Sequence, residues 1–465
     1  MKKFLTLFLV AAVALVGGVF APKSAEAVPA FARQLQISCP SCHYIAFPNL
    51  NSFGRSFKLS GFTQAAVETL KDDGLDLPAN LNAAVMIGSQ LSLGTTSGMN
   101  GNNNGNWQIG NDASLFFGGR VSTDMGALIE VNGGGTPGGI IENTKFVISH
   151  DFGGVQGGLS LYRTGGGGAA YSIDLFNSGS NQNNYGWSSG KTVQLNQQYG
   201  PARGGAEGLH LFAGSSLFFV NVGLFAPVKD NFNAAGALLP TGTGAALNLT
   251  GGNGANAGLN LNQYYRVAIT PSLGGADLLI GAQLSQGRAT LNASANNCSY
   301  ASTSSPCQLE VETSTTMFDF QAQADVAGNP MQVTAVYGTV PGISSANART
   351  LATLKALQGS TTAYTDAYGG ALYNTGSADI TGMDISLMYG LTKHLALKAL
   401  YGSTTNAAGV KSSNITAKGL GVAISLAANV KLTVEEFMFD YSGTKPTAGD
   451  GPDLSTTMID FKYLF

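Results

Sequence analysis

The rhythm of the connections constrains this chain more than any other feature. From residue 83 onward, segments of about ten residues with period-two patterning recur, each bounded by Gly, Asn, Pro or Asp. They read as strands near 83–94, 107–119, 125–132, 143–150, 155–163, 206–214, 216–225 and 260–270. A second set follows near 276–286, 315–326, 331–340, 380–390, 395–403, 415–426, 430–441 and 456–465. The count is about 16, an even number. Tight turns such as 151–154, 327–330, 391–394 and 427–429 alternate with long Gly/Asn/Ser/Thr-rich stretches near 164–205, 226–259, 287–314 and 341–379. Outer-membrane barrels have short periplasmic turns and long external loops. The alternation therefore predicts an all-β fold, a transmembrane outer-membrane β-barrel of about 16 antiparallel strands, with its first strand starting on the periplasmic side. A secreted solenoid or adhesin would also carry Gly/Asn-rich loops, but such chains show a fixed repeat length and none is visible here.

The chain ends agree with that class. Lys2 and Lys3 precede an apolar run from Phe4 to Phe20, and Ala25-Glu26-Ala27 forms a small-residue cleavage site, so 1–27 reads as a signal peptide. The run is short for a membrane span and contains Gly17-Gly18. At the other end, Ile459, Phe461, Tyr463 and Phe465 alternate with Met458, Asp460 and Lys462, as expected of the strand that closes a barrel. No later run reaches the eighteen or so apolar residues of a membrane helix. Charged residues are only 11% and Gly is 63 of 465, which fits neither a disordered nor a helical chain. A net charge of -3 gives no reason to expect nucleic acid as a partner. The implied location is the bacterial outer membrane, with lipid as a partner. A homotrimer is one assembly that such a barrel can form.

Between signal and barrel lies Cys39-Pro40-Ser41-Cys42-His43, the C-x-x-C-H pattern of c-type haem attachment. Two thiols three residues apart can each add to one vinyl group of the porphyrin, and the adjacent His then lies under the iron as an axial ligand. The alternatives for C-x-x-C, a redox disulfide or half of a zinc site, lack a thioredoxin-like context and a second C-x-x-C. The expected organisation is a monohaem cytochrome c segment at 28–82, plugging the lumen of a barrel at 83–465, with one covalently attached haem c. The remaining cysteines, Cys298 and Cys307, fall in the stretch 287–314, where a disulfide is the simplest reading in an oxidising location.

These residues also carry a resemblance. "VPAFARQ", "CPSCH" and "FPNLNSFGRSFK", directly after a signal and followed by a long β-barrel, resemble the fused outer-membrane monohaem cytochrome-porins, which include ferrous-iron oxidases of iron-oxidising bacteria. The resemblance covers about fifty N-terminal residues in detail and the rest in architecture. It implies an iron:cytochrome-type oxidoreductase that takes electrons from extracellular Fe(II) and passes them to a periplasmic cytochrome or copper protein. The thioether positions carry over to Cys39 and Cys42 and the proximal ligand to His43. A haem-containing porin for small solutes, or a conduit for a donor other than iron, remains the alternative.

The sixth ligand is open, because residues 28–82 contain no methionine and no histidine besides His43. The barrel would have to supply one. Parity makes His210 (opposite Leu209, Leu211 and Ala213) and Met86 (opposite Val85, Ile87, Leu91 and Leu93) lumen-facing candidates. Met317 and Met438 share that inward parity. Arg55 and Lys58 could pair with haem propionates, or form a solvated basic face. Asp112, Glu130, Asp319, Asp384, Glu436 and Asp440 read as inward carboxylates, either ordinary lumen charges or oxygen donors for Fe(II).

Overall fold

The computed structural model of the 465-residue chain describes residues 29–45, 47, 49–66, 69–70, 77–78, 82–94, 105–132, 141–164, 167–173, 175, 206–227, 261–293, 307–341, 379–405, 414–427, 429–442 and 453–465. The signal segment at 1–27 and Cys298 lie outside them. The first strands are β1 Ala83–Gly94, β2 Gly105–Arg120, β3 Met125–Asn132, β4 Ile141–Asp151, β5 Gln156–Thr164, β6 Ala206–Gly214, β7 Phe218–Pro227 and β8 Asn262–Ile269. The rest are β9 Ala276–Ala293, β10 Cys307–Val326, β11 Asn329–Val340, β12 Ile380–Thr392, β13 Leu395–Thr405, β14 Asn414–Ala427, β15 Val430–Ser442 and β16 Asp453–Leu464.

These strands pair antiparallel with their sequence neighbours, and β16 pairs with β1 from Thr456↔Gly94 to Leu464↔Met86, which closes the barrel. Phe465 completes the seam: its N–H donates to the Val85 carbonyl at 2.9 Å, and its own carbonyl accepts from the Val85 N–H at 2.7 Å. Closure leaves no unpaired sheet edge, the condition for a β-structure to stand in lipid. The alternation of the sequence becomes two surfaces. In β6, His210 is 0% exposed while Leu209 and Leu211 are 45% and 62% exposed. The same outward set recurs in Ile148, Leu161, Val222, Leu224, Val267, Ile280 and Phe318, a belt of apolar side chains facing lipid. Among the described residues no helix is long and apolar enough to cross a membrane. The protein is an outer-membrane barrel.

Two readings of the sequence are corrected. The hairpin of β9 and β10 runs on to Ala293↔Cys307, so half of the stretch 287–314 is strand and Cys307 opens β10 instead of lying in a loop. At about 3.3 Å per residue, 18 and 20 residues exceed the hydrocarbon thickness, and the hairpin projects beyond it on the long-loop side. In β15 the inward face carries Lys431, Thr433, Glu435 and Phe437, which puts Met438, Glu436 and Asp440 on the outward face. Asp440 there meets Lys418 of β14 at 3.1 Å, with both side chains more than half exposed.

The end of the barrel with tight turns is filled by residues 29–66. They form helix α1 (Pro29–Leu35), the site turn, helix α2 (Ser52–Leu59) and a return through Phe62. Gln34 is the bolt: its Oε1 accepts from the Arg120 N–H at 2.9 Å and from Asn82 Nδ2 at 3.0 Å, and its Nε2 donates to the carbonyls of Phe62 and Gln64. Across the lumen, Gln323 of β10 donates to the Leu50 carbonyl at 2.8 Å, and Lys431 of β15 to the Phe47 carbonyl at 3.1 Å. Gly126 of β3 permits the approach, since a Cβ there would lie 1.9 Å from the Gly61 carbonyl oxygen.

Candidate functional site

The C-x-x-C-H turn is built locally. Cys39–Ser41 form a 3₁₀ turn with Pro40 near its start, where a missing N–H costs nothing. The N–H groups of Cys42 and His43 both donate to the Cys39 carbonyl, at 3.1 and 2.9 Å. One helical turn therefore separates the two thiols and brings them to one side of the backbone. Cys42 is buried, which pushes its thiol pKa up; Cys39 is half-buried, and Pro40 and Ser41 are exposed.

The downstream motif holds this turn. Asn51 caps α2 by accepting from the Gly54 N–H at 2.9 Å, and its amide nitrogen donates to the carbonyls of Pro40 and Ser41 at 3.3 and 3.0 Å. The Asn51 N–H donates to the Cys42 carbonyl at 2.9 Å. The helix then passes so close that a Cβ on Gly54 would stand 2.3 Å from that same oxygen. His43 Nδ1 lies 3.2 Å from the Asn49 carbonyl. A carbonyl can only accept, so the proton is on Nδ1 and the lone pair on Nε2, the tautomer that a metal-binding imidazole needs.

Around the turn, Cys42 belongs to a core with Leu35, Phe57, Leu59 and Phe62 of the plug. The wall contributes Val147, Phe212, Phe219, Ala268, Leu279, Met317 and Val336 from inward positions of β4 and β6 to β11. Ile173 and Leu175, which follow β5, complete it. Phe31, Phe57 and Phe62 pack ring on ring at 5.1 to 5.8 Å. Beside it, Asn49 Oδ1, Gln321 Nε2 and Gln323 Oε1 are buried without a hydrogen-bond partner. Two thiols on one turn, a correctly tautomerised imidazole, an apolar surround and a margin of orphaned polar atoms fit a haem c, an apolar disc with a polar edge. Cys39, Cys42 and His43 would hold it.

The structure locates the other candidates. His210 is fully buried, but its partners are wall groups. Nδ1 donates to Asn221 Oδ1 at 3.1 Å and lies 2.8 Å from Ser172 Oγ, Tyr162 Oη donates to Nε2 at 3.2 Å, and Tyr264 stacks on the ring at 5.2 Å. None of these belongs to residues 29–66, and Nε2 could ligate iron only by displacing Tyr162. Met86 faces Ser114 and Leu464 across its strand pairs and is half-buried. Sequence reasoning missed Met388 of β12, whose sulfur meets Asn49 Nδ2 at 3.7 Å. The signal was present: Ile385 and Leu387 face out, which leaves Met388 facing in. Among the inward carboxylates, Asp319 is spent on a buried ion pair with Arg266, and Glu130 accepts from Ser114 and Asn143. The side chain of Asp112 lies outside the described residues, and the described ones hold no group of three or more metal-ligating side chains.

With this geometry in place, solved structures offer a comparison. OprB of Pseudomonas putida superimposes with a TM-score of 0.50 at 9% identity, over 82% of this chain and 93% of that one. The fold is that of an outer-membrane porin. OmpT of Vibrio cholerae gives 0.45 at 10% identity, over 86% and 100%, and OmpF of Salmonella typhi gives 0.44 at 11%, over the same shares. No protein-family model matches the chain, and no curated protein does. A porin lumen is polar and water-filled. In this barrel the tight-turn end is instead filled by the chain's own N-terminal segment, against apolar wall groups of β4 and β6 to β11 and, on the other side, the buried charged groups of Lys398, Lys431 and Glu435.

Proposed function

We propose that this protein transfers electrons across the outer membrane: a fused monohaem cytochrome-porin that takes electrons from extracellular Fe(II) and delivers them to a soluble periplasmic cytochrome or copper protein. The observation that carries this reading is the hydrogen bond from His43 Nδ1 to the Asn49 carbonyl, made on a C-x-x-C-H turn set against an apolar core in a plugged lumen. An open channel needs neither the tautomer nor the apolar lining. When bound, the haem would supply a one-electron iron couple. The chain does the rest. Cys39 and Cys42 present the thiols, His43 presents Nε2, and Phe57, Leu59 and Phe62 keep water from the site. Pro40 and Ser41 are exposed on the plug, which occupies the periplasmic end of the barrel, where a soluble carrier could dock. The physical gain is separation, since a plug at the tight-turn end would keep ferric iron formed on its long-loop side out of the periplasm.

The test is to mix detergent-purified, haem-loaded protein with Fe(II) in a stopped-flow spectrometer. Reduction of the haem is expected. No reduction would transfer the reading to another donor, and protein without covalent haem would end it. A second reading, a solute channel gated by the plug, is favoured by the likeness of the barrel to OprB. Planar-bilayer conductance separates the two, because the plugged electron-transfer protein should pass little current.

A further inference from the structure

The site described above leaves one charge without an answer. Arg55, on the buried face of α2, is 6% exposed, and its guanidinium donates to Gln321 Oε1 of β10 at 3.1 Å. Among the described residues no carboxylate stands within ion-pair distance of it. A buried cation held only by a neutral amide keeps an uncompensated desolvation penalty. Asp277, the carboxylate whose charge reaches Arg55, accepts from Ser272 Oγ at the exposed turn. Burial lowers the Arg55 pKa, as desolvation without a salt-bridge partner should.

The same corner holds an orphaned donor. Gln321 is fully buried and its Nε2 has no partner. The guanidinium and the amide N–H are two donors on one hydrogen-bonded pair between plug and wall. A water molecule could satisfy the amide, but it would not neutralise the guanidinium. A carboxylate does both.

We propose that Arg55 and Gln321 form a carboxylate site completed by the barrel wall, and that it takes a propionate of the haem. This rests on the haem reading given above. It assigns to the wall strand β10 a part in holding the prosthetic group, which explains why a plug of this size needs the barrel to complete its site.

The experiment uses full-length, haem-loaded protein in detergent, as wild type, Arg55→Gln and Gln321→Leu. Covalent haem stain and pyridine haemochrome spectra report loading, redox titration reports the midpoint potential, and resonance Raman reports the propionate bending band. The expected result is unchanged loading, a fall in potential in Arg55→Gln, a smaller fall in Gln321→Leu, and a shifted propionate band in both. Gln321→Leu keeps the test alive if Arg55→Gln fails to assemble. Wild-type potential and band in the variants would overturn the proposal. A wild-type potential that follows acetate concentration at fixed ionic strength, with the propionate band unmoved by either substitution, would assign the site to a free anion and overturn it as well. Absence of covalent haem from the wild type would defeat the proposed function itself, and this assignment with it, before any variant is compared.

Discussion

The side-chain oxygen of Gln34 accepts a hydrogen bond from the backbone N–H of Arg120 at 2.9 Å, which fastens the plug to the last residue of β2. Its amide nitrogen holds the return strand of the plug at Phe62 and Gln64. Replacing Gln34 by Ala leaves several buried groups without partners, and each stranded group costs about 1–3 kcal/mol. The plug should open more often while the barrel, held by its own ladders, stays folded. Single-channel recordings of Gln34→Ala should show larger or more frequent openings than wild type. Identical traces would show that Gln34 does not secure the plug.

Gly54 offers a sharper test of the site turn. A methyl group there would collide with the Cys42 carbonyl at 2.3 Å, and backbone cannot move aside as a flexible side chain can. Gly54→Ala should push α2 off the turn and break the hold of Asn51 on Pro40 and Ser41. The expected outcome is a heat-modifiable, membrane-inserted barrel with little or no covalent haem. Wild-type haem content in this variant would contradict the packing.

The buried thiol sets a pH dependence. Burial raises the pKa of Cys42, so the folded plug favours the neutral thiol. In haem-free protein this stabilisation is fully present below the ordinary thiol pKa and is lost as the pH rises through the elevated folded value. Alkylation followed by mass spectrometry should label half-buried Cys39 faster than Cys42 at mildly alkaline pH, with the difference shrinking as the pH is raised. Equal labelling from the start would mean that Cys42 is not shielded.

The barrel was legible because membrane and lumen impose opposite chemistry on alternate residues. In "GLHLFAG" that contrast is clean, and parity places His210 inward. In "VKLTVEEFMFDY" it is not. Val430, Leu432 and Val434 lie on one phase and Phe437 on the other, so the apolar run changes phase at Glu435-Glu436. Counting back from the phenylalanines puts Glu436, Met438 and Asp440 inside. Pairing decides otherwise: β15 runs against β16 in unbroken register from Val430↔Tyr463 to Asp440↔Asp453, and Phe437 is turned inward at 1% exposure. The extension of β9 and β10 was hidden by Gly287, Arg288, Glu310 and Glu312, which read as loop because that hairpin stands beyond the lipid and needs no apolar face. At the site, the attachment turn could be read from its spacing. The anchors could not, because Gln34 with Arg120, Asn49 with Met388 and Arg55 with Gln321 lie 86, 339 and 266 residues apart and no local pattern links them.

Two such anchors support the loop that orients His43. The Asn49 carbonyl takes both the Tyr44 N–H at 2.8 Å and His43 Nδ1 at 3.2 Å, so the imidazole is only as steady as residues 44–50. Gln323 holds Leu50 and Lys431 holds Phe47, from wall strands on different parts of the barrel. Gln323→Leu and Lys431→Met each remove one donor and strand a carbonyl, about 1–3 kcal/mol apiece. Because both act on one loop, the double variant should lose more than the sum of the two, a coupling that distant independent sites do not show. Protease added from the periplasmic side should cut within 44–50 slowly in each single variant and quickly in the double. Haem should remain attached through Cys39 and Cys42 while its electron paramagnetic resonance lines broaden as the imidazole loses its fixed orientation. Additive cleavage rates with unchanged line widths would show that the wall does not set the histidine.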